Sequence, residues 1–226
     1  MPQKRLARQR APGADRQESD KVEWRGALLS IQPRIRLMRS FDQRSHSYLG
    51  YSMRFSGTVN EEPREFSVAV GKAAHEKHQF RVGDVVTGTA AHVEDPDLET
   101  AQFYKASGLR IEHRVEMPTS EAPPFLGIPP TLEVYRQRGH RRLAAVTYSS
   151  KCYSCIWGCE MAVEMIIDQW NPSQRRYRRE TFCYGPKSCR NYAAGPTRKV
   201  PGRKGMSWEE EGWVDEEATA HRGLDD

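Results

Sequence analysis

All five cysteines of this 226-residue chain, Cys152, Cys155, Cys159, Cys183 and Cys189, fall between positions 152 and 189. An odd, clustered set makes a poor disulfide framework, whereas its short spacings suit thiolate ligands of a metal in a reducing compartment. Cys152 and Cys155 form a CxxC pair, followed by an apolar run (161–170), a polar turn (171–174), a second run (177–182), and then Cys183 and Cys189. Thiol pair, hairpin, thiol pair is an order that brings two distant turns to one tetrahedral centre. So short a segment cannot bury a core of its own, and metal binding worth about 10 to 16 kcal/mol would decide whether it folds.

The expected ligands are Cys152, Cys155, Cys183 and Cys189, with Cys159 either a substitute ligand or a buried thiol. Over residues 152–189 the arrangement resembles a zinc ribbon, departing from it in the five residues between Cys183 and Cys189, where two to four are usual. The resemblance implies a structural Zn2+. An iron-sulfur cluster is the alternative cofactor, because CxxCxxxC with further cysteines downstream also supplies four thiolates, although the Cys-Pro run of bacterial ferredoxins is missing.

Upstream, residues 22–113 alternate in short segments, 24–38, 48–59, 65–70, 85–93 and 104–111, separated by polar or glycine-containing turns. Tyr51, Met53 and Phe55 share one parity, Ser52 and Arg54 the other, which is the two-residue period of a strand with distinct faces. Five strands in so short a span predict a small closed barrel. The Gly83-Asp84 turn before a β-branched run, with Gly88 where a strand bends, resembles OB-fold barrels. The expected fold is therefore mainly β: a small OB-like barrel (21–115), a Pro-rich linker (116–131), a basic Cys-rich module (132–204) like a zinc ribbon, and an acidic C-terminal tail (205–226). Residues 1–20, nearly free of aromatic and β-branched side chains, read as a disordered basic arm. A short basic helix is expected over 131–143, weakened by Gly139, and another in the tail with Trp208 as its anchor.

Charge is segregated along the chain. From Val134 to Lys204 there are 15 Lys or Arg against four acids, about +11, whereas Gly205 to Asp226 carries eight acids and one Arg, about -7. Arg175, Arg176, Arg178 and Arg179 at the hairpin, with Arg198, Lys199, Arg203 and Lys204 beyond it, are candidate phosphate contacts. A solvated face, or docking of the acidic tail onto these cations, is the competing account. In the barrel, Arg34 and Arg36 share a parity on the first strand, and Tyr48, Tyr51, Phe55 and Tyr104 are either stacking surfaces or core. His75 and His78 form an isolated HxxH expected in an exposed loop.

No Walker loop, dinucleotide fingerprint, Gly-x-Ser-x-Gly elbow or HExxH occurs, so catalysis has little support. No apolar run approaches a membrane span and the N-terminus lacks a secretory pattern, so the chain is expected to be cytoplasmic. The leading expectation is a binder of single-stranded DNA or RNA with a structural zinc site. Two rivals stand beside it: a metal-dependent interaction subunit that docks a protein through the acidic tail, and a redox accessory using an iron-sulfur cluster. Barrels joined to zinc ribbons also resemble accessory subunits of acyl-group metabolism, in which the ribbon comes first.

Overall fold

Strand β1, Lys21–Arg39, organises the whole molecule. A computed structural model describes residues 21–40, 44–116, 120 and 122–226, so the arm expected over 1–20 lies outside the described residues. Along β1 the even positions Val22, Trp24 and Leu28 point inward until Leu29, which has no partner between the pairs Leu28–Phe55 and Ser30–Arg54. That one-residue bulge reverses the phase, so Ile31, Ile35 and Leu37 face the core while Gln32, Arg34 and Arg36 turn to the other side.

Four more strands follow where the alternation places them: β2 Arg44–Val59, β3 Glu62–Val70, β4 Val85–His92 and β5 Phe103–His113, with helix α1, Lys72–His78, between β3 and β4. β1 pairs with β2 and β4, β2 with β3, and β4 with β5, all antiparallel. A single parallel bridge, Val68–Phe103, joins β3 to β5, so the sheet closes on itself over only part of its length. Trp24, Phe55, Phe66 and Phe103 fill the interior, Trp24 and Phe55 with ring centroids 4.9 Å apart. Tyr51 and Phe55 are core rather than stacking surfaces, at 1% and 0% exposure.

The second half comprises α2 Leu132–Arg138, β6 Arg141–Arg142, α3 Ala145–Thr147 running on as a π turn over Tyr148–Cys152, β7 Gly158–Ile166, β8 Arg175–Cys183, β9 Arg198–Pro201, β10 Ser207–Glu210 and α4 Trp213–Ala218. The helix expected to reach residue 143 stops at Gly139 (φ 65°), where any Cβ would stand 2.1 Å from the carbonyl of Ala218. β7 then pairs in parallel with the far end of β1, Arg36–Arg39 against Ala162–Met165. One eight-stranded sheet, β2-β3-β5-β4-β1-β7-β8-β6, therefore crosses the boundary expected between two modules, and Met161, Val163, Phe182 and Tyr184 share a core with Leu37 and Tyr51.

The proline-rich stretch does not hold the halves apart. Proline gives up its donor but keeps its carbonyl, and Pro130 O accepts from Tyr51 Oη at 2.7 Å while Pro129 O meets His75 Nε2 at 3.2 Å. His75, expected in an exposed loop, is 3% exposed and lies against Tyr51. The acidic tail is likewise folded in. β10 pairs with β9, Glu210 bonds Arg39 and Arg44 at 2.8 and 2.7 Å, and Asp215 bonds Arg142 at 3.0 Å.

Candidate functional site: a thiol cavity and a cationic trough

The antiparallel ladder of β7 and β8 sets Gly158 opposite Cys183, and this register carries the downstream thiols back to the CxxC turn. Cys152, Cys155, Cys183 and Cys189 then line one enclosed cavity of about 10 Å³, walled by Pro123, Pro124, Phe125, Trp157 and Tyr192. The four ring the space without closing on it: among the described residues no group of three or more His, Cys, Asp or Glu side chains is drawn together as a metal ligand set. Cys159 is elsewhere. It is wholly buried in the larger core and its Sγ lies 3.3 Å from Pro33 O, which removes it as a substitute ligand and makes it the buried thiol.

The turn that carries Cys152 and Cys155 is held from three sides. Gln32 Nε2 donates to both Cys152 O and Cys155 O at 2.9 Å, and Tyr148 Oη donates to Gln32 Oε1 at 2.7 Å. Tyr135 Oη donates to Ile156 O at 2.7 Å. Gly158 is required here, because a Cβ would fall 2.5 Å from Cys152 O and 2.7 Å from Gln32 Nε2. Gly185 N donates to Cys183 Sγ at 3.4 Å, and backbone donors of Trp157 and Phe125 serve Cys155. Burial nevertheless pushes Cys152 up to about 11 and Cys155 up to about 12, and raises Cys183 as well, so bare thiols would stay protonated.

The cations predicted to meet phosphate divide into two groups. Arg34 bonds Glu99 at 2.9 Å, Arg36 bonds Leu98 O at 3.0 Å, and Arg179 bonds the carbonyls of Pro96 and Glu99. Arg175 pairs with Glu164, Arg203 with Asp168 at 3.6 Å, and Arg178 with Glu180. Arg198 is 9% exposed and also pairs with Glu180, whose other oxygen bonds Arg39 at 3.1 Å. These side chains are held internally because acids outside the counted stretch, together with Glu164, Asp168 and Glu180 within it, reach them in three dimensions. Arg176, Lys199 and Lys204 are exposed and, among the described residues, have no hydrogen-bonded or ionic side-chain partner.

Those three free cations lie along one trough. A cavity of about 510 Å³ beside β8, lined by Arg54, Tyr153, Glu160, Arg178, Arg179 and Lys199, adjoins another of about 690 Å³ lined by Arg176, Arg203, Lys204 and Met206, the two sharing Arg178 and Lys199. A third, of about 250 Å³, continues past Arg203 and Met206 to Trp170 at the hairpin turn. Trp170 is 78% exposed and Tyr153 39%, so an accessible ring stands toward each end. Sequence reasoning missed Arg54, Tyr153, Glu160 and Trp170 as a set. The outward parity of Arg54 was the one local signal, and nothing in the order of residues joined β2 to the cysteine turn. Comparison with known protein families, curated proteins and solved structures finds no match to this chain.

Proposed function

We propose that this protein binds single-stranded nucleic acid along the β8 trough, and that Cys152, Cys155, Cys183 and Cys189 hold one structural zinc ion. The observation that carries the binding proposal is the continuity of the trough: three adjoining cavities, the first two bearing unpaired cations, with an exposed ring toward each end. Sequence-tolerant binding of single strands needs those two ingredients, cations for the backbone and aromatic faces for the bases. A duplex keeps its bases stacked inside and would leave the rings idle. The connectivity of β1 to β5, with α1 inserted before β4, supports kinship with OB barrels, which commonly bind oligonucleotides.

For the thiols, the size of the cavity favours one ion. So small a space suits a single ion better than a multi-atom iron-sulfur cluster. A divalent cation would also offset the cost of ionising thiols held in apolar surroundings, and the Gly185 N–H is aimed at Cys183 Sγ. The metal's part would be to tie the CxxC turn to the end of β8, beside the Tyr153 end of the trough.

Mobility shifts of the full chain with a 20-nucleotide oligo-dT at 50 to 300 mM salt test the proposal. Binding that weakens steeply with salt is expected. No shift at 50 mM with stoichiometric zinc present would reject it.

A further inference from the structure

Within the Tyr153 end of the trough stands an acid that a general polyanion site would not carry. Glu160 on β7 and Arg54 on β2 both line this end and also a small adjoining polar cavity with Ser30, Ser52 and Ser67. Among the described residues neither side chain makes a hydrogen bond or an ion pair, to the other or elsewhere, and Arg54 lies 5.8 Å from the centroid of the Tyr153 ring. Every other acid of the trough, Glu180 and Asp168, is engaged by an arginine. A free carboxylate here repels phosphate, so its place is understandable only if it meets donors.

A carboxylate accepts through two adjacent oxygens and donates nothing. Of the four common bases, only guanine presents two neighbouring donors, N1–H and N2–H, on its pairing edge. Adenine and cytosine set an acceptor beside their amine, and thymine or uracil flanks its single N–H with two carbonyls, so each would place a lone pair against Glu160. The adjoining O6 and N7 of guanine accept a bidentate arginine. One base thus satisfies both unpaired groups at once, with the Tyr153 ring nearby to stack upon it.

We infer that this end of the trough is a guanine-reading subsite, with Glu160 taking the N1–H and N2–H edge, Arg54 the O6 and N7 edge, and Tyr153 the face of the base. The inference rests on the proposal that the trough binds a single strand. It adds a preference that trough electrostatics alone would not produce.

Fluorescence anisotropy on the full chain, with labelled dT decamers bearing one central dG, dA or dC, decides it. A bidentate pair is worth about 5- to 150-fold between matched and mismatched bases, so with two such pairs the dG decamer is expected to bind at least tenfold tighter than all-dT. Glu160→Gln should reduce that preference to less than threefold and leave all-dT binding equal or slightly stronger, since a negative charge leaves the trough. Equal affinity of the wild-type chain for all four decamers overturns the guanine subsite while the single-strand proposal stands. An equal loss on every decamer with Glu160→Gln also overturns it, assigning Glu160 to the fold. Failure of every decamer to bind removes the underlying proposal too. Competition by guanosine monophosphate at the affinity of the decamer would move the ligand to a free nucleotide and overturn its assignment to a strand.

Discussion

Gln32, in the middle of the first strand, donates its side-chain amide to the carbonyl of Cys152, 120 residues later in the chain, at 2.9 Å. The bulge at Leu29 makes this possible, because without the change of phase Gln32 would face the core with Trp24 and Leu28. Replacing it with Ala leaves Tyr148 Oη without its acceptor in a buried place, while Cys152 O and Cys155 O each lose one of two donors and keep the backbone N–H of Cys155 and of Gly158. With one buried unsatisfied group costing about 1 to 3 kcal/mol, Gln32→Ala is expected to lower stability by about 2 kcal/mol in urea denaturation. A loss below 0.5 kcal/mol would show that the bracket is idle.

Metal content should separate the cysteines sharply. Purified chain is expected to carry one zinc, and Cys→Ser at 152, 155, 183 or 189 to lose it, with a large fall in melting temperature. Cys159→Ala removes a thiol from the other core and is expected to retain the full complement, at a stability cost of about 1 to 2 kcal/mol. Elemental analysis of the five variants checks this, and metal lost from Cys159→Ala alone would reverse the assignment.

Acid should weaken the fold through its histidines. Burial, then Arg44 and Arg39, lower His46 to about 4; burial, with His46 and the same arginines, lowers His140 well below the ordinary range, the two rings lying 4.8 Å apart. A group depressed in the folded state binds more protons when unfolded, so stability is full above about 6.5 and is lost as pH falls toward 4. His46 alone contributes about 3 kcal/mol over that window. Thermal melts between pH 7.5 and 4.5 measure it, and a His46→Gln chain should show a shallower decline.

Glu180 stands between two buried cations. Arg39 is 1% exposed, and Glu180→Gln would leave both it and Arg198 short of counter-charge. Breaking such a pair costs about 3 to 5 kcal/mol. Chemical denaturation of this variant should show a loss of that size, while Arg176→Ala, on the surface, should stay within about 0.5 kcal/mol of the parent.

The trough predicts different signatures for its cations and its rings. Arg176→Ala, Lys199→Ala and Lys204→Ala should each reduce the slope of log affinity against log salt by about 0.7, the value per phosphate for single strands. Trp170→Ala should cost about 1 to 3 kcal/mol of binding with the slope unchanged. Titrations at four salt concentrations resolve the two behaviours.

What the sequence made legible was local. Tyr51, Met53 and Phe55 alternate with Ser52 and Arg54, and the strand they predict is there with that face buried. Cys152, Cys155, Cys183 and Cys189 lie in an order that implies convergence, and the β7–β8 register brings these four, though not Cys159, around one cavity. Long-range pairing was not legible. Nothing in the neighbours of Arg36 or Ala162 announces that they meet across a parallel ladder, and the prolines at 123–130 look the same whether they tether or pack. Charge misled for a related reason: a run of arginines shows its sum but not its partners, and Arg34 and Arg198 are held by acids remote from their own turns, while Arg175 is held by Glu164 across its hairpin.

The nineteen residues of β1 are shared by two neighbours, β4 along Lys21–Ala27 and β7 along Arg36–Arg39. Severing the chain between α1 and α2 would therefore not liberate two autonomous pieces. The first would offer an open backbone edge beside Ile35 and Leu37, inviting aggregation, and the second would lack the rail on which its hairpin is laid. Each half supplies a pairing edge that the other completes.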